Sequence, residues 1–279
     1  MYYFDLLSNL IGLVFWFLFR SQTAGSIQLS KVSIIGNLKP AGSWKFNWGF
    51  LLCLILLLGL RGLFYSKLGP DLHWNPSISL RVLSLTFRSD NLPRIMLYSG
   101  LSFLFVLGFY LFTLLALSIL HSAKPDLAPF HRLVKSQLGW PGKLPVLVQI
   151  LIPLLLGTGF WWLLQPVLAQ LGILPPISRH AELLQQGAVI GLGFYLVWAY
   201  FIVVFLAISI VHTFVYVGNF SWLQYVEATS RKLTSPLQWI PLELGKIDFR
   251  PAMVMVITFL LFGGGKKALP QLFQQLPFF

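Results

Sequence analysis

Two histidines are the residues best placed, by type and spacing, to do chemistry in this chain. His121 and His212 each close a long apolar run with the same Ser-x-x-His ending, Ser118 to His121 and Ser209 to His212. Imidazoles that face one another across helices can ligate a haem or a metal ion, and histidines within membranes can relay protons. The plainer reading places both at a membrane interface, solvated or hydrogen-bonded to the following loop, where a helix C-terminus favours a cationic imidazole. Arg61 lies near the end of another apolar run. It either snorkels its guanidinium to water or serves as counter-ion to a transported anion. Gln149 is a lone amide that can hydrogen-bond across helices.

Ordinary catalytic motifs are missing from the sequence. The acidic residues Asp5, Asp71, Asp90, Asp126, Glu182, Glu227, Glu243 and Asp248 form no paired-carboxylate motif, and none lies mid-span. There is no serine elbow, phosphate loop or dinucleotide fingerprint. Gly263-Gly264-Gly265-Lys266-Lys267 has the wrong spacing to cradle phosphate and reads as a helix stop with a basic end. The single cysteine, Cys53, excludes an internal disulfide and a thiolate cluster. The expectation is a protein that is not an enzyme, with no cofactor unless the histidines hold haem or metal.

The elements that must position these residues follow from composition. Of 279 residues, 57% are hydrophobic and 10% charged, and mean hydropathy is +0.77. A soluble domain carries about 25% charged residues, so this chain cannot cover itself with polar surface. It reads as an all-α integral membrane protein. A span needs roughly 20 apolar residues. Residues 95–120, 187–217, 144–165 and 47–65 meet this, while 4–19 and 252–263 are shorter, which gives five to six transmembrane helices. The run at 4–19 lacks a basic leader and reads as a retained anchor or interfacial helix. Residues 76–88 alternate and favour β structure, which predicts a short strand or hairpin lying at the membrane surface.

Basic residues favour loops 20–46, 122–143 and 218–251, which predicts a cytoplasmic side for these and outer termini. The net charge of +12 is scattered among loops. It suits anionic lipid headgroups and not nucleic acid.

The chain also contains an internal match. Gly100 to His121 and Gly191 to His212 align without a gap and are identical at nine positions. Ala128-Pro129 then stands against Ser235-Pro236, and Leu144-Pro145 against Arg250-Pro251. Each unit is a long span, a Pro-marked connector and a shorter span, and the two run parallel. The expected organisation is an N-terminal anchor region over 1–94, a first repeat over 95–165 and a linker over 166–186. A second repeat covers 187–265, followed by a tail over 266–279.

Leu233-Thr234-Ser235-Pro236-Leu237, Ile240-Pro241, Gly245 and Ile247-Asp248-Phe249-Arg250-Pro251 before an apolar run resemble the YggT (YlmG-like) family. Its members are small membrane proteins with a duplicated unit of this shape. Thr234, Pro236, Pro241, Gly245, Asp248 and Pro251 occupy its motif positions in the second copy. The first copy keeps Pro129 and Pro145 but has no Asp before the second proline. Gln238-Trp239 replace the arginines usual there, and the first 90 or so residues have no counterpart in short members. The resemblance implies no catalytic residue. It implies loose links to osmotic or potassium tolerance, to cell division and, in plastids, to nucleoid distribution and cytochrome assembly.

Physically, Thr234 and Ser235 suit helix N-caps and Pro236 a first helical turn. This predicts a short helix over 237–245 with Trp239 in the headgroup layer and Asp248 capping the last helix. The functional alternatives are a structural or assembly component that binds other membrane proteins or itself, a small ion channel or carrier, and a haem- or metal-handling factor. The implied location is a bacterial inner membrane.

Overall fold

The computed structural model describes residues 1–23, 47–121, 128–177, 179–214, 220–244 and 247–276. Its long helices are α1 (Tyr2–Thr23), α2 (Asn47–Leu68), α3 (Leu92–Leu120), α5 (Val146–Gln170), α6 (His180–Phe214) and α8 (Arg250–Gln274). Two shorter helices are α4 (Ala128–Leu138) and α7 (Ser221–Thr234). Strands β1 (Ser77–Ser79) and β2 (Ser84–Thr86) pair with each other, as do β3 (Glu243–Leu244) and β4 (Ile247–Asp248). The order long helix, short helix, 3-10 turn, long helix occurs at α3 to α5 and again at α6 to α8, with the turns at Trp140–Lys143 and Ser235–Leu237.

All six long helices are long and apolar enough to cross a membrane. The two short runs of the sequence belong to full spans. Residues 4–19 lie within the 22 residues of α1, and residues 252–263 within the 25 of α8. At 1.5 Å per residue these measure about 33 and 37 Å, against a hydrocarbon core of about 30 Å. The three glycines and two lysines expected to end α8 lie inside it, and the helix runs on through Pro270 to Gln274. In a bilayer the backbone has no water to bond, so the helical hydrogen bonds outweigh glycine's low propensity.

The chain divides into two compact units, and the division cuts α3. Unit 1 holds residues 1–78, 86–110 and 136–139. Here α1 packs on α2, and Gly12 lets the Phe103 ring approach: a Cβ at Gly12 would stand 2.8 Å from Phe103 Cε2. Trp74 closes over Tyr65 and Tyr98, with ring centroids 4.8 and 5.7 Å away. Arg20 donates to the carbonyls of Gln137 and Ser136 at 3.3 and 3.4 Å. Its guanidinium fills the place of a Cβ at Gly139, whose φ of +73° also favours glycine.

Unit 2 holds residues 79–85, 111–135 and 140–279. Its centre is the crossing of α5 and α6. Gly157 meets Gly191, Gly187 meets Thr158, and Tyr195 donates to the Ile150 carbonyl at 2.5 Å, so the helices run antiparallel. Along α6, α8 packs antiparallel through Gly265 against Leu196 and Phe262 against Tyr200. Trp198 of α6 donates to the Phe112 carbonyl of α3 at 3.1 Å. Side chains such as Leu147 of α5 and Leu260 and Leu261 of α8 point outward, as lipid-facing residues do.

The hairpin forms where the alternation predicted it. Ile78, Leu80, Val82, Leu85 and Phe87 are buried, while Ser77, Ser79, Ser84 and Thr86 are exposed. Its tip lies against Gly193 of α6, where glycine leaves room for it.

Candidate functional site

His121 and His212 are not brought together. His121 is fully buried at the end of α3, whereas His212 is half-buried in the last turn of α6. The neighbours of His121 are in α4 and α7: Thr229 at 2.8 Å from Nε2, the Tyr225 ring stacked at 4.6 Å, and His131 edge-on at 6.0 Å. The Thr229 hydroxyl gives its own proton to the Tyr225 carbonyl at 2.7 Å. It must therefore accept from His121, which puts the imidazole proton on Nε2.

Burial, then Lys232 and His131, pull the pKa of His121 down to about 4. The cationic imidazole expected at a helix C-terminus is thus a neutral one. The cation serving that terminus is Lys232, which donates to the Leu120 carbonyl. Burial, Lys135 and Lys232 also lower the pKa of His131, and burial raises that of Tyr225. Among the described residues no three of His, Cys, Asp and Glu gather as for a metal ion. A haem held between His121 and His212 does not fit this geometry, since the ring of His121 is enclosed by protein.

The lowered pKa has a consequence for stability. The unfolded imidazole, near 6.5, binds its proton before the folded one does, so the stabilisation is complete above about pH 6.5 and is lost as pH falls towards 4. The thermal midpoint of the wild type should fall across that window more steeply than that of His121→Asn. Parallel midpoint-against-pH curves for the two proteins would refute the assignment.

The connector departs from its expected form. Thr234 ends α7 and precedes the 3-10 turn, but its hydroxyl bonds back to the Ser230 and Arg231 carbonyls at 3.1 and 3.2 Å and makes no capping bond. Pro236 lies in the 3-10 turn, and the helix expected over 237–245 is replaced by that turn and the β3–β4 pair. Pro236 and Pro241 interrupt the backbone donors a helix would need there. Gly245 lies outside the described residues. The cap is as expected: Asp248 Oδ1 accepts from the Arg250 N–H at 2.9 Å, with Pro251 in the first turn of α8. Trp239 is 80% exposed.

Two polar features were not foreseen. The first is in unit 1. Arg61 does not snorkel; it is 2% exposed and turned inward. It donates to Asn9 Oδ1 at 2.6 Å, to Ser99 Oγ at 3.0 Å and to the Ser99 carbonyl, and lies 3.5 Å from Asp5. Asp5 in turn accepts from Tyr65 at 2.8 Å, Ser102 at 3.1 Å and Tyr98 at 3.2 Å. Its three hydrogen bonds and its ion pair tie α2 to α1 and α3 within the unit. The available signal was spacing: Asp5 and Asn9, Arg61 and Tyr65, and Ser99 and Ser102 each share a face of an apolar helix.

The second is Arg81, at the hairpin tip in unit 2. Its Nη1 donates to the Tyr200 hydroxyl at 3.1 Å, and the guanidinium lies 5.0 Å from the ring centroid. The alternation of 77–86 was legible, but the contact of its tip with α6 was not.

No protein-family model matches the chain, and no curated protein or solved structure matches it significantly. The class is defined by the fold itself: an α-helical integral membrane protein with six candidate spans.

Proposed function

We propose that the chain is a non-enzymatic, YggT-like protein of a bacterial inner membrane, and that it is a structural or assembly component binding other membrane proteins. The observation that carries this reading is the exposure of the connector between α7 and α8. Pro236, Pro241 and Asp248 are exposed, and Trp239 and Phe249 stand out beside them. The matching order of elements in the two halves supports an internal duplication. Scattered basic loops suit contact with anionic headgroups.

The test is purification of the tagged chain in mild detergent with mass spectrometry and a native mass, beside Trp239→Ser and Pro241→Ala. A stoichiometric partner that both variants lose supports the proposal. A partner retained by both, or a homo-oligomer alone, opposes it. A small channel or carrier is the second reading. It is favoured by one observation: the guanidinium of Arg81 rests on the hydroxyl and ring of Tyr200 in α6, and no carboxylate pairs with it among the described residues.

A further inference from the structure

We infer that the cavity between the end of α5 and the start of α6 is a head-group site for a phospholipid, with Arg179 and His180 taking the phosphate and Gln165 a hydroxyl of the head group. The lipid class this chemistry selects is phosphatidylglycerol. The site goes beyond an assembly role and does not depend on it.

The cavity lies wholly within unit 2 and holds about 400 Å³, inside the range of about 300–1,000 Å³ usual for ligand sites. Its walls include Gln165 and Pro166 from the last turns of α5, Ile177 and Arg179 from the connecting loop, and His180 and Leu183 from the start of α6. These residues border one space at the joined ends of two candidate spans. On the neighbouring turns, Leu163 and Val167 of α5 and Leu184 of α6 point outward, as side chains clad in lipid do. Acyl chains packed on them bring a head group to the cavity.

Gln165 sets the chemistry of the inner wall. It is 3% exposed, and its Nε2 donates to the Pro175 carbonyl at 3.1 Å, which fixes the orientation of the amide. Oε1 is left as an acceptor with no hydrogen bond among the described residues, and it is not sealed from solvent. A carbonyl oxygen so deeply set calls for a donor on whatever fills the cavity.

The charge at the rim selects the rest of the ligand. Arg179 and His180 are exposed, and no carboxylate pairs with Arg179 among the described residues. Glu182, the nearest acidic residue along the chain, is not a wall of the cavity and accepts from Gln186 at 3.4 Å. A guanidinium offers paired donors that match a phosphate. The ligand must therefore join a phosphate to a hydrogen-bond donor. Choline has no donor for Gln165. Ethanolamine has one, but its ammonium is repelled by Arg179. Glycerol supplies hydroxyls without a cation, and Pro166, Ile177 and Leu183 accommodate its carbon skeleton.

The test is native mass spectrometry of the full chain in detergent, titrated with dioleoyl lipids that differ only in head group. Phosphatidylglycerol should fill one saturable site about ten-fold more tightly than phosphatidylcholine, the scale of one charge-assisted hydrogen bond. Phosphatidylmethanol, with the same charge and no hydroxyl, should bind about five-fold less tightly than phosphatidylglycerol, the scale of one ordinary hydrogen bond. Arg179→Gln should bring phosphatidylglycerol and phosphatidylcholine to within about two-fold of each other. Lys266→Gln, which removes a positive charge elsewhere, should leave the preference unchanged. Ile177→Trp, which fills the cavity from the loop, should abolish the site in protein with a wild-type thermal midpoint. Deacylated glycerophosphoglycerol should compete at least about a hundred-fold less well, because it lacks the apolar chains. The inference is overturned if phosphatidylglycerol and phosphatidylcholine bind alike, if the preference survives Arg179→Gln, or if Lys266→Gln erases it as fully. Equal binding of phosphatidylmethanol and phosphatidylglycerol would overturn the role of Gln165. Equal competition by the deacylated head group would make a soluble phosphodiester the ligand and overturn the lipid.

Discussion

Replacing Arg61 with leucine should cost about 3–5 kcal/mol, the penalty for removing one partner of a buried ion pair. The guanidinium is bonded to Asn9 and Ser99 and lies 3.5 Å from Asp5, so its loss strands a carboxylate and an amide oxygen among helices. Tyr65, Tyr98 and Ser102 would still donate to Asp5, but hydroxyls cannot neutralise it. The double variant Asp5→Asn with Arg61→Leu should recover part of the loss, because the orphaned charge is gone. Arg61→Lys should fall between, since an ammonium cannot reproduce the fork that reaches three partners. The measurement is reversible unfolding in mixed detergent micelles. A loss below about 1 kcal/mol for Arg61→Leu, the value of an exposed pair, would show that the network is solvated.

The second large effect belongs to the helix crossing in unit 2. Even Gly191→Ala should destabilise the protein, by about 1–3 kcal/mol, as overpacking does. A Cβ there would stand 2.6 Å from the Leu154 carbonyl oxygen and 3.1 Å from its Cα. These are backbone atoms of α5, so relief requires the two helices to part. Parting would also lengthen the hydrogen bond from Tyr195 to the Ile150 carbonyl. Gly159 lies on the same α5 with nothing within 4 Å of a built Cβ, and Gly159→Ala should be neutral or slightly stabilising. Equal midpoints for the two alanine variants would mean that the close approach of α5 and α6 is not a feature of the folded protein.

What the sequence determined by itself is local in physical origin. Apolar runs make spans, because a helix in lipid depends on its own length and its own hydrogen bonds. That is why α2, α3, α5 and α6 were evident from residues alone. The alternation of residues 76–88 fixed a hairpin and its faces, since strand side chains alternate whatever lies nearby. Asp248 as the cap of α8 needed only its neighbours, and it accepts the Arg250 N–H.

What tertiary structure decided concerns partners far apart in sequence. Arg61 near a helix end looks the same whether it snorkels or turns inward. The difference is made by Asp5, Asn9 and Ser99 on two other helices, which give its charge bonded partners in place of water. His121 and His212 carry the same local motif, yet only His121 is enclosed, because Thr229 and Tyr225 of α7 come over it. The connector lost its expected helix to its two prolines and to the β3–β4 pair, and a cap residue's promise at Thr234 went to closing α7 instead. Arg81 is the sharpest case. A charged loop residue between two spans shows no partner in the sequence, and only the fold sets it against the ring and hydroxyl of Tyr200. Sequence distance conceals such contacts because they are set by which helices meet, not by the order of residues along the chain.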